Sequence, residues 1–206
     1  MNEPRSLFGL QTAPPIRRVE LSEFEYNTAL EEGRGRVHRQ REKGRGCNHK
    51  MQENGPVLSD RILMGVTSEM AFSVLTGLAL TAYGPEGKKH LDVGHVWEVR
   101  ATTQFKDDQP GWEPTLIVRT TDPLVIPGHG RTFGVLMRPT ASMRYCEPGH
   151  SRLAPNLRFW DCYGHRAVDE TVEHDEWFGT KGNPEREPCW WVPTEHLSDI
   201  KDYIKV

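Results

Sequence analysis

The hydrophobic period of this chain changes at Gly84-Pro85, and that change limits the folds open to it. Before it, Leu63, Val66, Met70, Val74 and Leu75 recur at the spacing of one helical face. Ser59 or Asp60 can cap that helix, and Gly77 can end it. After it come runs that read as strands, at 96–103, 115–120, 133–138, 158–163 and 189–192. A weaker acidic helical segment lies around 167–177. A last short helix is expected from Thr194 or Glu195, with Leu197, Ile200 and Ile204 facing inward. Helix, then sheet, then helix gives a single domain of the α/β (α+β) class.

Upstream, residues 1–20 contain Ala13-Pro14-Pro15 and read as an extended arm, with one domain over 21–206. Ser22 and Glu25 fit a capping box, and Leu21 and Tyr26 are placed as its hydrophobic staple. The helix they start is expected to run into the early thirties, where Gly33 and Gly35 weaken it. Residues from about 34 to 58 then read as a basic loop.

At 206 residues the chain can bury one sizeable core. No apolar run approaches the roughly 20 residues that cross a bilayer, and the opening Met-Asn-Glu-Pro-Arg-Ser has no apolar stretch of a secretory signal. The expectation is a soluble cytoplasmic protein with no membrane association. Four cysteines without a C-x-x-C pair, and nine histidines without H-x-x-x-H spacing, give no zinc signature.

Charge is unevenly placed. The net charge is −3, which does not favour coating a polyanion through the overall field. Yet Arg34, Arg36, Arg39, Arg41, Lys43 and Arg45 crowd one segment and could contact phosphates locally. A solvated basic loop would carry the same residues. The stretch 169–187 is acidic instead and suits a protein partner.

Few residues point to chemistry, and those that do lie around the change of period. Glu69 sits on the edge of the apolar helix stripe, where it is either an ordinary exposed acid or a buried one in need of a partner. Asp92 precedes Gly94 and His95, and Glu98 and Arg100 share one face of the following strand. A two-residue turn at Gly94-His95 would set Asp92 against Trp97. A three-residue loop, Gly94-His95-Val96, would set it against Glu98, within reach of one shared ion.

Ser68-Glu69-Met70-Ala71 on a helix, then Asp92-Val93-Gly94 and Glu98-Val99-Arg100, resemble the PD-(D/E)XK nuclease superfamily, and within it a group of phage and prophage proteins. Leu116-Ile117-Val118-Arg119 followed by Thr121-Asp122, and Trp190-Trp191-Val192-Pro193, add to the likeness, which runs from about residue 20 to the C-terminus. The resemblance implies a restriction-endonuclease-like core, a mixed central sheet flanked by helices. It implies Mg²⁺ or Mn²⁺ held by Asp92 and Glu98, with the Val99 carbonyl as a further ligand and Glu69 completing the site directly or through water, and hydrolysis of DNA phosphodiester bonds in a bacterial host. Glu69, Asp92, Glu98 and Arg100 would be the catalytic set. Arg100 stands where the superfamily has lysine, and a guanidinium stabilises anions but does not give up its proton. The same resemblance therefore covers an inactive relative that binds nucleic acid, or a host or phage protein.

Overall fold

Extended backbone enters the sheet before the first helix begins. The computed structural model of the protein describes residues 13–42, 58–81, 91–102, 114–140, 155–181, 184–185 and 187–205. In chain order these form β1 (Arg17–Glu20), α1 (Glu23–Glu42), α2 (Leu58–Thr76), β2 (Trp97–Ala101), β3 (Thr115–Arg119), β4 (Val125–Ile126) and β5 (Gly130–Arg131). There follow β6 (Phe133–Pro139), β7 (Phe159–Ala167), the single turn α3 (Val168–Thr171), β8 (Phe178–Gly179) and β9 (Cys189–Pro193). The last four residues of the expected arm are thus β1, paired antiparallel with β7. Ion pairs of Arg18 with Asp161 and Arg17 with Asp199 hold it there.

The class is mixed α+β. A four-stranded sheet in the order β1-β7-β6-β2 is antiparallel except for the parallel pair β2–β6. A three-stranded antiparallel sheet, β3-β9-β8, and the β4–β5 hairpin are the other strands among the described residues. Residue alternation on β6 shows how these layers stack. Val135 and Met137 join a core with Ala71 and Phe72 of α2, whereas Leu136 joins Leu116, Val118 and Val192 of the second sheet. Helices cover one face of the larger sheet, and the second sheet covers the other. The expected sheet flanked by helices is present in this form among the described residues.

The helix boundaries follow local chemistry. Ser22 N–H donates to Glu25 Oε2 at 2.8 Å, and Glu25 N–H donates back to Ser22 Oγ at 3.3 Å, so the capping box forms. Leu21 and Tyr26 meet in the same core. Gly77, at φ +70°, ends α2. The expected stop at Gly33 and Gly35 does not occur: α1 runs to Glu42, so residues 34–42 of the expected basic loop are helical. A helical glycine costs about 1 kcal/mol against alanine. Gly33 nevertheless suits its place, because a Cβ there would lie 2.5 Å from Leu63 Cδ2 of α2 and would push that side chain aside. The two helices pack closely at this point, and burial against α2 outweighs the poor propensity.

The C-terminal helix is also not continuous. Thr194–His196 and Lys201–Tyr203 are separate 3₁₀ turns, because Ser198 between them pairs with His165 of β7. Leu197 and Ile200 are buried as expected. Next to this bridge Gly164 has φ +125°, and a Cβ would stand 2.6 Å from the Ser198 carbonyl oxygen. Only glycine fits where β7 slips register against β6. The expected acidic helix near 167–177 reduces to α3 and one 3₁₀ turn, Asp175–Trp177. Among the described residues no helix is long and apolar enough to cross a membrane.

His165 is 8% exposed and meets the rings of Trp97, Phe133 and Tyr203 edge-on, with centroids 5.2, 5.6 and 5.4 Å away. Burial holds its imidazole below the ordinary pKa of 6.5, and attraction to Asp199 offsets only part of that. The unfolded chain therefore takes up a proton first as pH drops, and stability is complete above 6.5 and falls below it. A Tm series from pH 7.5 to pH 5 should show this loss. His165→Gln should flatten the series; a slope equal to that of the wild type would contradict the assignment.

Candidate functional site

The loop before β2 decides which acidic residues meet. Val93 and Trp97 exchange two backbone hydrogen bonds, N–H to O at 3.2 and 3.1 Å, closing the three-residue loop Gly94-His95-Val96. Gly94 (φ +54°) and His95 (φ +67°) take left-handed conformations to turn the chain. Asp92 consequently stands opposite Glu98. Both are buried, at 7% and 4% exposure.

Backbone direction places one more oxygen beside them. Val96 and Thr102 bond toward β6, whereas Trp97 bonds toward Val93, so the odd-numbered residues of β2 direct their polar groups to the Asp92 edge. Asp92 Oδ2 accepts the Val99 N–H at 2.8 Å. The Val99 carbonyl lies on that same edge. Trp97 and Val99 meanwhile anchor the strand in the core under α2.

Glu98 and Arg100 project to the opposite face, toward the second sheet. Arg100 Nη1 lies 2.9 Å from Glu98 Oε1, and Nη2 donates to both oxygens of Asp122, at 2.6 and 2.8 Å. Burial opposes the charge on Arg100, but attraction to Glu98 and then Asp122 outweighs it and holds the pKa above the ordinary value. Asp122 is itself fixed by the turn after β3. Its Oδ2 accepts Arg119 N–H at 2.8 Å, and its own N–H donates to the Arg119 carbonyl at 3.0 Å. The guanidinium thus ties the site strand of one sheet to the end of β3 in the other.

Glu69 takes part in a different pair. It is buried at the α1–α2 contact, and Arg36 grips both its oxygens, Nη1 to Oε1 at 2.9 Å and Nη2 to Oε2 at 2.7 Å. Arg36 also bonds Glu32 at 3.0 Å one turn away. Burial works against the Arg36 charge, and the two carboxylates more than restore it. The reading of Glu69 as an exposed helix acid is therefore corrected. It is a buried acid whose partner came from the basic segment.

Among the described residues no three His, Cys, Asp or Glu side chains gather as a set that could hold a metal ion. Asp92, Glu98 and Arg100 come together; Glu69 does not complete a three-carboxylate cage with them. The donors at the loop are nevertheless of the right kind for Mg²⁺ or Mn²⁺, two carboxylates and a strand-edge carbonyl. Magnesium in particular binds through one or two carboxylates and keeps several waters.

The expected phosphate-binding residues divide. Arg34 is exposed on α1. Arg36 is spent on Glu69 and Glu32, which removes it from the expected phosphate-facing set, and Arg39 pairs with Glu32 at 3.0 Å. Arg41 lies in α1 with its side chain outside the described residues, as are Lys43 and Arg45 altogether. Sequence reasoning missed Asp122 as a site residue. Its signal was Asp-Pro directly after a strand, a turn pattern that does not name a partner. Cys162 is buried, with its thiol pushed up to about 12 by desolvation, so it is no nucleophile.

Compared with known proteins, the chain matches no family model, no curated protein and no solved structure at a significant level.

The Arg36–Glu69 pair gives a direct test of the helix contact. Arg36→Met should leave a buried, unbalanced carboxylate and cost about 3–5 kcal/mol in urea unfolding. Adding Glu69→Met should recover most of that loss. A single change costing no more than about 0.5 kcal/mol would contradict the buried-pair account.

Proposed function

We propose that the chain is a phage-encoded, PD-(D/E)XK-type nuclease-like protein that hydrolyses DNA phosphodiester bonds with Mg²⁺ or Mn²⁺. The observation that carries this reading is the meeting of Asp92 and Glu98 across a three-residue loop, with the Val99 carbonyl on the same strand edge. The order of Glu69, Asp92, Glu98 and Arg100 along the chain and the parallel β2–β6 pair beside the site fit a restriction-endonuclease-like core. The working place would be the cytoplasm of a bacterial host.

Asp92, Glu98 and the Val99 carbonyl would hold the ion. Bound there, a divalent cation polarises a phosphoryl oxygen and lowers the pKa of a water. The chain's own residues set the rest. Arg100 supplies a positive charge that stays on at every working pH, so it can steady an anion but cannot serve as base. Arg34 on α1 offers a contact to the nucleic-acid backbone.

A second reading is favoured by a specific observation. Arg100 already binds Glu98, and Arg36 already binds Glu69, so two of the three expected acids carry protein cations. In this reading the same fold is inactive and binds nucleic acid, or a host or phage protein.

The decisive assay incubates linear, circular and single-stranded DNA with the protein and Mn²⁺. Cleavage is expected from the wild type, falling at least about 100-fold in Asp92→Asn and in Glu98→Gln, with circular dichroism unchanged. EDTA should stop it. A wild type that cuts none of the three substrates and binds no Mn²⁺ sinks the nuclease reading and leaves the binding one.

A further inference from the structure

We infer that Asp122 is a positioning residue that decides whether the arginine-containing site can accept a cation; this rests on the reading of Asp92 and Glu98 as ion ligands. A lysine at position 100 would bring one compact charge. Arginine brings a planar fork whose two arms can close on a single carboxylate in parallel. If the fork closed in that way on Glu98, the carboxylate would have its charge matched and both oxygens engaged by the protein, leaving a metal ion to compete with a strong buried pair.

The geometry points to Asp122 as the group that prevents this. One arm of Arg100, Nη1, reaches Glu98 Oε1 at 2.9 Å. The other arm, Nη2, is drawn to Asp122, whose two oxygens stand at 2.6 and 2.8 Å. These are the shorter contacts, so the guanidinium leans toward Asp122. Asp122 cannot follow the arginine across to Glu98, because Oδ2 is fixed on Arg119 N–H and its own amide on the Arg119 carbonyl. Asp122 is thus an anchored counter-anion. It shares the arginine's charge and keeps the fork from turning wholly onto Glu98.

Asp122 does not touch a reacting group in this account; it acts through Arg100. Its neutral isostere should therefore weaken the ion site without removing any ligand. Asn at this position keeps one acceptor but sets an NH₂ donor against Nη2, so the fork would swing to Glu98. Loss of an orienting partner of this kind commonly lowers metal affinity about 10- to 100-fold.

The test is Mn²⁺ binding to the full chain, measured by calorimetry and by the loss of the free-ion EPR signal, without DNA. Asp122→Asn should bind about 10- to 100-fold more weakly than wild type, and Asp122→Glu should recover part of the loss. In an Arg100→Gln background, Asp122→Asn should have no further effect, because the intermediary is gone. Proton–nitrogen NMR of the metal-free protein supplies a second readout. The Arg100 Nη signals should show slow rotation in the wild type and change in Asp122→Asn. Equal Mn²⁺ affinity of wild type and Asp122→Asn overturns the proposal while leaving the nuclease reading intact. So does an additive loss in the Arg100→Gln background, which would mark Asp122 as structural. A wild type that binds no Mn²⁺ overturns the nuclease reading itself and the role of Asp122 in ion binding. In that case unchanged Arg100 NMR signals in Asp122→Asn would also remove the positioning claim.

Discussion

Two backbone hydrogen bonds between Val93 and Trp97 fix more of this molecule than their number suggests. They close the 94–96 loop, and by doing so they set the parity of everything after it. Trp97 and Val99 fall on the face packed against α2, while Glu98 and Arg100 fall on the face toward the second sheet. A slip of one residue would send a tryptophan toward the inter-sheet side and bring a glutamate and an arginine under the helix. It would also separate Asp92 from Glu98. The core and the candidate site therefore depend on the same turn.

Burying that many charges demands compensation, and the fold supplies it with arginine. Arg100 bridges Glu98 to Asp122, and Arg36 grips Glu69 with Glu32 beside it. Each guanidinium also joins two elements: Arg100 links the sheets, and Arg36 links α1 to α2. Replacing either partner alone would expose the other to the desolvation penalty. These pairs thus define how layers dock, whether or not they raise net stability. They also explain why the acids most suggestive of an ion site are held so firmly.

Much of this was legible in the chain. The period change at Gly84-Pro85 marked where helices give way to strands, and the five strand segments match β2, β3, β6, β7 and β9 in place. The capping box at Ser22 and the end at Gly77 depend on local chemistry, so local sequence sufficed for both. The turn at 94–96 was one of two alternatives, since parity alone does not choose a loop length. What stayed hidden was non-local. Gly33 and Gly35 read as helix breakers because their cost is local, whereas the close approach of Leu63 to Gly33 comes from another helix. Arg36 read as a phosphate contact because its partner lies 33 positions away. Asp122 was overlooked for the same reason, its arginine being 22 positions distant. The broken C-terminal helix depended on a strand bridge to His165 that no pattern around 194–204 contains.

The central claim is that Asp92 and Glu98, brought opposite each other by the 94–96 loop, share a divalent cation despite the neighbouring Arg100. Anomalous diffraction from crystals soaked in Mn²⁺ measures this most directly. The account predicts one anomalous peak within about 2.0–2.6 Å of an oxygen from each carboxylate and of the Val99 carbonyl, absent from Asp92→Asn crystals. Crystals that show no peak there at millimolar Mn²⁺, with Arg100 still seated between Glu98 and Asp122, would contradict it.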